Sequence, residues 1–208
     1  MEREERAMTT ASLLTPPPLT DGARRILDTA ARLFYSHGIH AVGVDTIAEE
    51  SGMTKRTLYD RFGSKDALAA AYLQVRHGEW WERLEARLAD LPAGASAKER
   101  VLAVFDSYTL DSASTERGCA FVNAAAELPG EHPGRAIVRA HKQAVVDLLG
   151  ELLSEGTAPT TDHAALAEHV FLLLEGAVVH RGIDDDDHRL VAARAMVEDL
   201  LGEDRASD

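Results

Sequence analysis

Between positions 55 and 65 the chain gathers side chains that carry positive charge or can donate hydrogen bonds. They are Lys55, Arg56, Thr57, Tyr59, Arg61 and Lys65. Such groups suit contacts with phosphates and with the edges of bases in a nucleic-acid groove. At the helical period of about 100° per residue, Leu58 and Phe62 fall on the opposite side from most of these polar groups. Apolar residues would anchor this helix, and its polar residues would face outward.

Two short helices, separated by Ser51-Gly52-Met53, would position these side chains. In the first of them Val44, Ile47 and Ala48 recur at helical spacing. Gly52 can adopt the left-handed conformation that ends a helix, and Thr54 offers a hydroxyl that can cap the next one. The pattern predicts a helix-turn-helix whose second helix, over residues 54–62, reads the major groove of DNA.

This segment and the helix before it resemble the TetR family of transcriptional regulators. The matches occur in a fixed order at Arg25 to Phe34, Gly38, Val44 to Ala48, Gly52, Thr57 to Tyr59, Phe62 and Ser64 to Leu68. The resemblance implies an N-terminal unit that binds double-stranded DNA and a variable C-terminal domain that binds a small molecule and dimerises. After Leu68 the chain matches the family only in helical character and length.

The resemblance also bears on individual DNA-binding residues. Thr57 and Tyr59 match positions that contact DNA in the family, and we assign Thr46 to the same set. Gly43-Val44 stand where a threonine is common, and Arg61 stands where histidine or tyrosine is common; its charge would compensate for the lost hydroxyl. We expect Lys55, Arg61 and Lys65 to bind phosphates and Arg56 to contact a base or a phosphate. The alternatives are that Arg56 is an ordinary solvated charge and that Thr57 and Tyr59 only pack.

The formal charge is unevenly distributed along the chain. The net charge is −13, yet residues 22–66 hold seven Lys or Arg against six Asp or Glu. The slight cationic excess of this region favours DNA, whereas the acidic remainder would repel phosphate and orient the molecule. Because so small an excess predicts weak binding, two copies on a palindromic operator would be needed. The expected partners are therefore DNA and a second copy of the chain.

Composition and helix signals predict an all-α fold of about nine helices. The 208 residues are 45% hydrophobic and 5% aromatic. We expect a disordered arm at 1–20, a three-helix DNA-binding domain at 21–66 and a helical ligand-binding and dimerisation domain at 67–208. After the recognition helix, the helices are expected at about 64–90, 96–112, 117–128, 133–155, 161–182 and 187–202. The single cysteine, with no secretory signal and no spanning segment, indicates a cytoplasmic protein without a membrane partner.

A ligand site in the C-terminal domain is a weaker expectation. Cys119 and Asn123 are four residues apart on one helical face, so their polar groups can project into an apolar cavity. A small buried cysteine and a structural asparagine explain the spacing equally well. Trp80 and Trp81 could gate a pocket, but core packing is the favoured interpretation for them. The residues assigned to the unknown small-molecule inducer are Trp81, Phe105, Cys119, Asn123, His141 and His169.

The last two predicted helices present broad apolar surfaces that suggest a homodimer interface. Its assigned residues are Leu166, Val170, Leu173, Leu174, Ala177, Val178, Val191 and Ala195. We expect no metal and no cofactor, because the histidines lack metal-ligand spacing and Asp184 to Asp187 lack the alternation of a calcium loop.

Catalytic motifs are also missing from the sequence: there is no Ser-His-Asp order, glycine-rich phosphate loop or HExxH. The favoured interpretation is a ligand-responsive homodimeric repressor that an inducer releases from a palindromic operator. One alternative is a helical small-molecule-binding or interaction protein whose DNA unit is not used. An all-helical enzyme ranks third.

Overall fold

The computed structural model describes residues 12–113, 117–155, 162–184 and 186–202. Within these ranges the regular elements are α-helices, which confirms the all-α prediction and the N-terminal helix-turn-helix. They are α1 (Asp21–His37), α2 (Val44–Ser51), α3 (Lys55–Phe62), α4 (Lys65–Ala89), α5 (Ala97–Ala113), α6 (Ala120–Glu127), α7 (Pro133–Ser154), α8 (His163–Asp184) and α9 (His188–Leu201). The six helices predicted after the recognition helix match α4 to α9 to within three residues at each end.

Local sequence signals set the boundaries around α3. The Thr57 N–H donates to Thr54 Oγ1 at 3.1 Å, and the Ala67 N–H donates to Ser64 Oγ at 3.0 Å. Each bond satisfies a donor that the first turn of a helix leaves unpaired. Gly52 ends α2 with φ 67° and ψ 23°, the left-handed conformation predicted for it.

The chain divides into two compact units. The first unit consists of Met1–Glu79 and Ala120–His141, and the second of Trp80–Cys119 and Lys142–Asp208. The division falls inside α4 and inside α7, whereas α6 belongs entirely to the first unit. The predicted domain boundary at residue 66 stays a prediction.

The predicted arm at 1–20 lies partly outside the described residues, which begin at residue 12. Residues 12–14 form a helical turn, Leu14 is buried, and Gln74 Nε2 donates to the Leu13 carbonyl oxygen at 2.9 Å. The Gln74 side chain thus links Leu13 to α4, and the disordered arm stays a prediction.

The core of the first unit holds the helix-turn-helix together. Ile26, Ala30, Ile47 and Leu58 are fully buried, so α1 packs against both α2 and α3. Phe62, predicted to be core with Leu58, is only half-buried. Replacing Leu58 by alanine would lower the free energy of unfolding by about 2–5 kcal/mol.

A second core fills the second unit and includes part of the predicted dimer interface. Val170, Leu174, Ala177 and Val178 are buried in this core. They pack against side chains of their own chain, and their assignment to a surface between two copies stays a prediction. Leu166 and Leu173 are partly buried against the same core.

The apolar residues that α8 and α9 leave to solvent differ from those four. The large exposed ones, which we call the exposed apolar set, are Leu172, Ile183, Val191, Met196 and Leu200. Of the predicted interface, Val191 and Ala195 are exposed. Among the described residues, none of the helices has the length and hydropathy needed to cross a membrane.

Candidate nucleic-acid interface

Helix α3 has one buried face and one solvated face, as its sequence predicts. Leu58 is completely buried, whereas the Arg56 side chain is 90% exposed and Tyr59 is 46% exposed. An exposed guanidinium and an exposed phenol ring on a helix anchored from behind can enter a groove without disturbing the core.

The cationic side chains near α3 differ in how they are engaged. Lys55 forms an ion pair with Asp45 of α2, and Arg56 Nε lies 3.7 Å from Asp60 Oδ2. Exposed pairs of this kind contribute about 0–1 kcal/mol, so both cations can exchange a carboxylate for a phosphate at little cost. Arg61 is exposed and has no hydrogen bond or ion pair with any residue of the described ranges.

The two threonines assigned to DNA occupy different environments. Thr46 is exposed on α2. Thr57 is half-buried, and its Oγ1 lies 2.8 Å from Thr54 Oγ1, so its hydroxyl already takes part in the cap of α3. The DNA-binding role of both residues stays a prediction.

Arg25 of α1 forms a hydrogen bond with the turn between α2 and α3. Its Nη2 donates to the Ser51 carbonyl oxygen at 3.1 Å. A Cβ atom at position 52 would lie 3.2 Å from that same nitrogen, so Gly52 is needed for space as well as for its positive φ. Arg32 adds an ion pair with Glu50 at 2.5 Å. The sequence reasoning gave no role to these arginines, since both contacts join residues far apart in the chain.

The second unit contains a buried polar cluster around Lys142. Its Nζ lies 2.6 Å from Glu175 Oε1, 3.4 Å from Cys119 Sγ and 3.5 Å from the Tyr108 hydroxyl. The Lys142 and Glu175 side chains are only 15% and 17% exposed. Sequence reasoning found Cys119 but missed its partners. The available signal was weak, because Lys142 and Glu175 are each one of several charged residues in their helices and nothing local marks them as the buried ones.

The electrostatics of this cluster keep the lysine charged. Burial by itself would lower the pKa of Lys142, but its polar neighbours outweigh burial and raise it, with the Glu175 carboxylate as the charged partner. Burial also raises the pKa of Tyr108 well above its usual range, so its hydroxyl stays protonated. The cluster is thus an ammonium paired with a carboxylate, flanked by a phenol and a thiol.

The other residues assigned to the ligand are distributed over both units. Phe105 is buried in the second unit, where Trp81 donates to Glu85 Oε1 at 2.9 Å and His169 is exposed on α8. The remaining two, Asn123 and His141, belong to the first unit. Their role in binding a ligand stays a prediction.

His141 has aromatic neighbours in the first unit. It stacks on Phe121 with 3.8 Å between ring centroids, and its Nδ1 lies 2.9 Å from His77 Nδ1. It is also almost completely buried. Over the described part of the chain, no three His, Cys, Asp or Glu side chains form a group that could hold a metal ion.

Comparison with known proteins agrees with the fold and with the position of α3. A model of bacterial regulatory proteins of the tetR family matches residues 26–72, and a model of the tetracyclin repressor-like C-terminal domain matches residues 97–197. An uncharacterized HTH-type transcriptional regulator of Mycobacterium tuberculosis is 30% identical over 178 residues, which cover 84% of this chain and 83% of that protein.

Solved structures show the same relationship. A TetR-family transcriptional regulator from Streptomyces coelicolor is 35% identical, with a TM-score of 0.78 over 88% of this chain and 89% of that one. Reduced NemR from Escherichia coli shares the fold at 22% identity, with a TM-score of 0.76 over 89% of this chain and 100% of that one. From the two matching family models and from relatives similar over most of its length, the chain belongs to the TetR family of transcriptional regulators.

Proposed function

We propose that this regulator is a homodimeric repressor that binds a palindromic operator through α3 and is released by a small-molecule inducer. The observation that carries the proposal is the solvated face of α3. There Arg56 and Tyr59 project outward over a fully buried Leu58. Because bases are read by donors and acceptors on the exposed face of a groove-bound helix, this is the surface expected to select a sequence.

A dimer supplies what one reading unit lacks. With seven basic and six acidic side chains in residues 22–66, a single unit gains little from phosphate attraction. Two units related by a two-fold axis would double the contacts and match half-sites about 34 Å apart, or a multiple of that spacing. The exposed apolar set on α8 and α9 is the surface that a partner copy would cover.

The cluster around Lys142 is the proposed site of the inducer. Burying two charges costs several kcal/mol of desolvation per ion, so such a pair favours a functional role over simple packing. Cys119, assigned to the ligand from sequence, contacts this lysine. A polar head group that competes for Lys142 or Glu175 would be recognised there, and apolar parts of the molecule would contact the surrounding core.

Two relatives suggest which ligands to test first. The structure of FadR from Bacillus subtilis was determined in complex with stearoyl-CoA, and it shares the fold of this chain at 21% identity, with a TM-score of 0.69. The fatty acid metabolism regulator of the same species is 27% identical over 84 residues, which cover 40% of this chain. Long-chain acyl-CoA esters are therefore the first compounds to screen as inducers.

The direction of regulation is part of the proposal. The HTH-type transcriptional activator FasR of Mycolicibacterium smegmatis is 40% identical over 60 residues, which cover 29% of this chain. A shared DNA unit thus does not decide between repression and activation. We favour repression because an inducer that moves α4 would weaken a preformed dimer on its operator. Operator binding places the protein in the cytoplasm, with the chromosome.

Selection from random duplex DNA tests the proposal. The full-length protein, incubated at low salt with duplexes that carry a random central region, should enrich an inverted repeat. The double variant Arg56→Ala/Tyr59→Ala is the matched control and should enrich no sequence. If the parent protein also enriches none, the DNA unit is not used and the chain is a helical small-molecule-binding or interaction protein.

A further inference from the structure

His40 is held by both of its backbone groups in the loop that joins α1 to α2. Its N–H donates to Glu127 Oε2 at 2.8 Å, and its carbonyl oxygen accepts from Lys65 Nζ at 3.2 Å. Glu127 is the last residue of α6, and Lys65 is the first residue of α4. One residue of the DNA-reading unit is therefore bound by side chains of two other helices, and all three residues belong to the first unit.

The Glu127 carboxylate is also fitted against the end of α1. Gly38, which follows α1, has φ 93°. A Cβ atom at this position would lie 2.9 Å from each carboxylate oxygen of Glu127. A carboxylate gains nothing from the negative end of a helix dipole, so the His40 N–H is the favourable contact that holds it there. The position of the Glu127 carboxylate at the end of α1 thus depends on its hydrogen bond from the His40 N–H.

The segment after α6 touches the same region a second time. His132 Nε2 lies 3.4 Å from Asp66 Oδ1, near the start of α4. Close by, a Cβ atom at Gly134 would lie 3.1 Å from Leu73 Cδ1 of α4. The end of α6 and the start of α7 are therefore anchored to the loop before α2 and to the first turns of α4.

The other end of α6 begins next to the Lys142 cluster. Cys119, whose Sγ lies 3.4 Å from Lys142 Nζ, is the residue immediately before Ala120, where α6 starts. The helix has eight residues and so spans about 12 Å. Its last residue carries the Glu127 carboxylate.

We propose that Glu127 is a positioning residue that sets the DNA-binding geometry of α2 and α3. Its carboxylate fixes residues 38–43, the loop from which α2 starts. The carbonyl oxygen of the same residue, His40, accepts from Lys65 Nζ and so links this loop to the start of α4. A ligand that displaces α6 withdraws this carboxylate and frees the loop, which lowers operator affinity. The inference rests on the proposed function, since it describes how the inducer signal reaches the DNA unit.

Three substitutions of Glu127 separate the effect of its side-chain length from the effect of its charge. Glu127→Gln keeps the acceptor oxygen at the same reach, Glu127→Asp keeps the charge but is one methylene shorter, and Glu127→Ala removes both. Glu131→Ala is the control, because Glu131 is an exposed acidic residue four positions away and has the same charge. Operator affinity, hydrogen exchange of the His40 amide and melting temperature are measured for each.

The expected order of operator affinity is parent, Glu131→Ala and Glu127→Gln together, followed by Glu127→Asp and Glu127→Ala. Loss of a hydrogen bond to a charged acceptor should weaken operator binding by about tenfold or more and speed exchange of the His40 amide similarly. The melting temperature of Glu127→Asp should stay close to that of the parent. If Glu127→Ala does not fold, the comparison of Glu127→Asp with Glu127→Gln decides.

Glu127→Asp binding the operator as tightly as Glu127→Gln would overturn the inference. So would equal losses of affinity and melting temperature in all three Glu127 variants, because that pattern indicates only a structural role. Exchange of the His40 amide is read without DNA. If the parent selects no operator, the proposed function fails, whereas an operator bound equally by every variant refutes only the role of Glu127.

Discussion

Arg56 and Tyr59 project from α3 into solvent on either side of the buried Leu58. Replacing either by alanine should weaken operator binding by about 1–3 kcal/mol, the worth of one good base contact. The melting temperature should hardly change, because neither side chain supports the core. Fluorescence anisotropy with the selected duplex measures the loss. Arg139→Ala, which removes the same charge from an exposed site on α7, is the control.

If Arg56→Ala binds the operator as tightly as the parent, Arg56 on the exposed face of α3 does not contact DNA as proposed. Loss of binding together with a large drop in melting temperature would mean that Arg56 supports the fold instead. Sequence patterning was sufficient at this scale, because helical periodicity alone separates Leu58 from its polar neighbours.

The His77–His141 pair should make stability depend on pH. Burial lowers the pKa of His77 below its ordinary value of 6.5. The unfolded chain therefore binds a proton that the folded chain resists, and the free energy of unfolding falls as pH drops below 6.5 and levels off below the folded pKa. His77→Asn keeps a polar group near Nδ1 but does not titrate. Urea unfolding between pH 5 and 8 should show a smaller loss of stability for this variant. Equal pH profiles for variant and parent would contradict the assignment.

At the scale of elements, the positions of helices were predictable but their partners were not. Gly52, Thr54 and Ser64 carry their information locally, so the boundaries of α2, α3 and α4 follow from short segments. Helix α8 is apolar on several sides, with Val170 and Leu174 in the core and Leu172 and Ile183 in solvent. Periodicity cannot tell which of two apolar faces meets the chain's own core, so the sequence did not show that four of the predicted interface residues are buried in that core.

The polar contacts between helices could not be predicted from the sequence either, because the residues that form them are far apart in the chain. Lys142 and Glu175 are 33 positions apart, and Glu127 and His40 are 87 apart. Each pair is brought together only by the packing of whole helices. Helical spacing within α6 could not show that the Glu127 carboxylate reaches the loop after α1.

The buried pair of α7 and α8 should show strong coupling. Lys142→Met leaves the Glu175 carboxylate buried without its cation, which should cost about 3–5 kcal/mol of stability. The double variant Lys142→Met/Glu175→Leu should recover most of that loss, because no charge is left unpaired. A double-mutant cycle by urea unfolding measures the coupling. Additive single losses would show that the two side chains do not act as a pair.

If the cluster around Lys142 is the inducer site, the folded double variant Lys142→Met/Glu175→Leu should also keep its operator affinity but lose its response to the inducer.

At the scale of the whole molecule, the proposed binding to a palindrome requires two copies of the chain. Leu172→Glu/Val191→Glu places charges at two members of the exposed apolar set, where they would be buried only in a dimer. Sedimentation at micromolar concentration should show a monomer with unchanged helix content. Ala86→Glu/Ala89→Glu, at exposed positions of α4, adds the same charge and should stay dimeric. If the α8–α9 variant stays dimeric, the interface lies elsewhere, with α7 the next candidate.

The central claim is that two copies of α3 read two halves of one operator. Its most direct test is an anisotropy titration of three duplexes, which carry the selected inverted repeat, one intact half-site with the other scrambled, or a random sequence. A dimer on one operator should saturate at two chains per intact duplex. Scrambling one half should cause a large loss of affinity, since each mismatched base pair costs about 1–3 kcal/mol. Equal affinity for the intact and half-scrambled duplexes, or for the random one, would contradict the central claim.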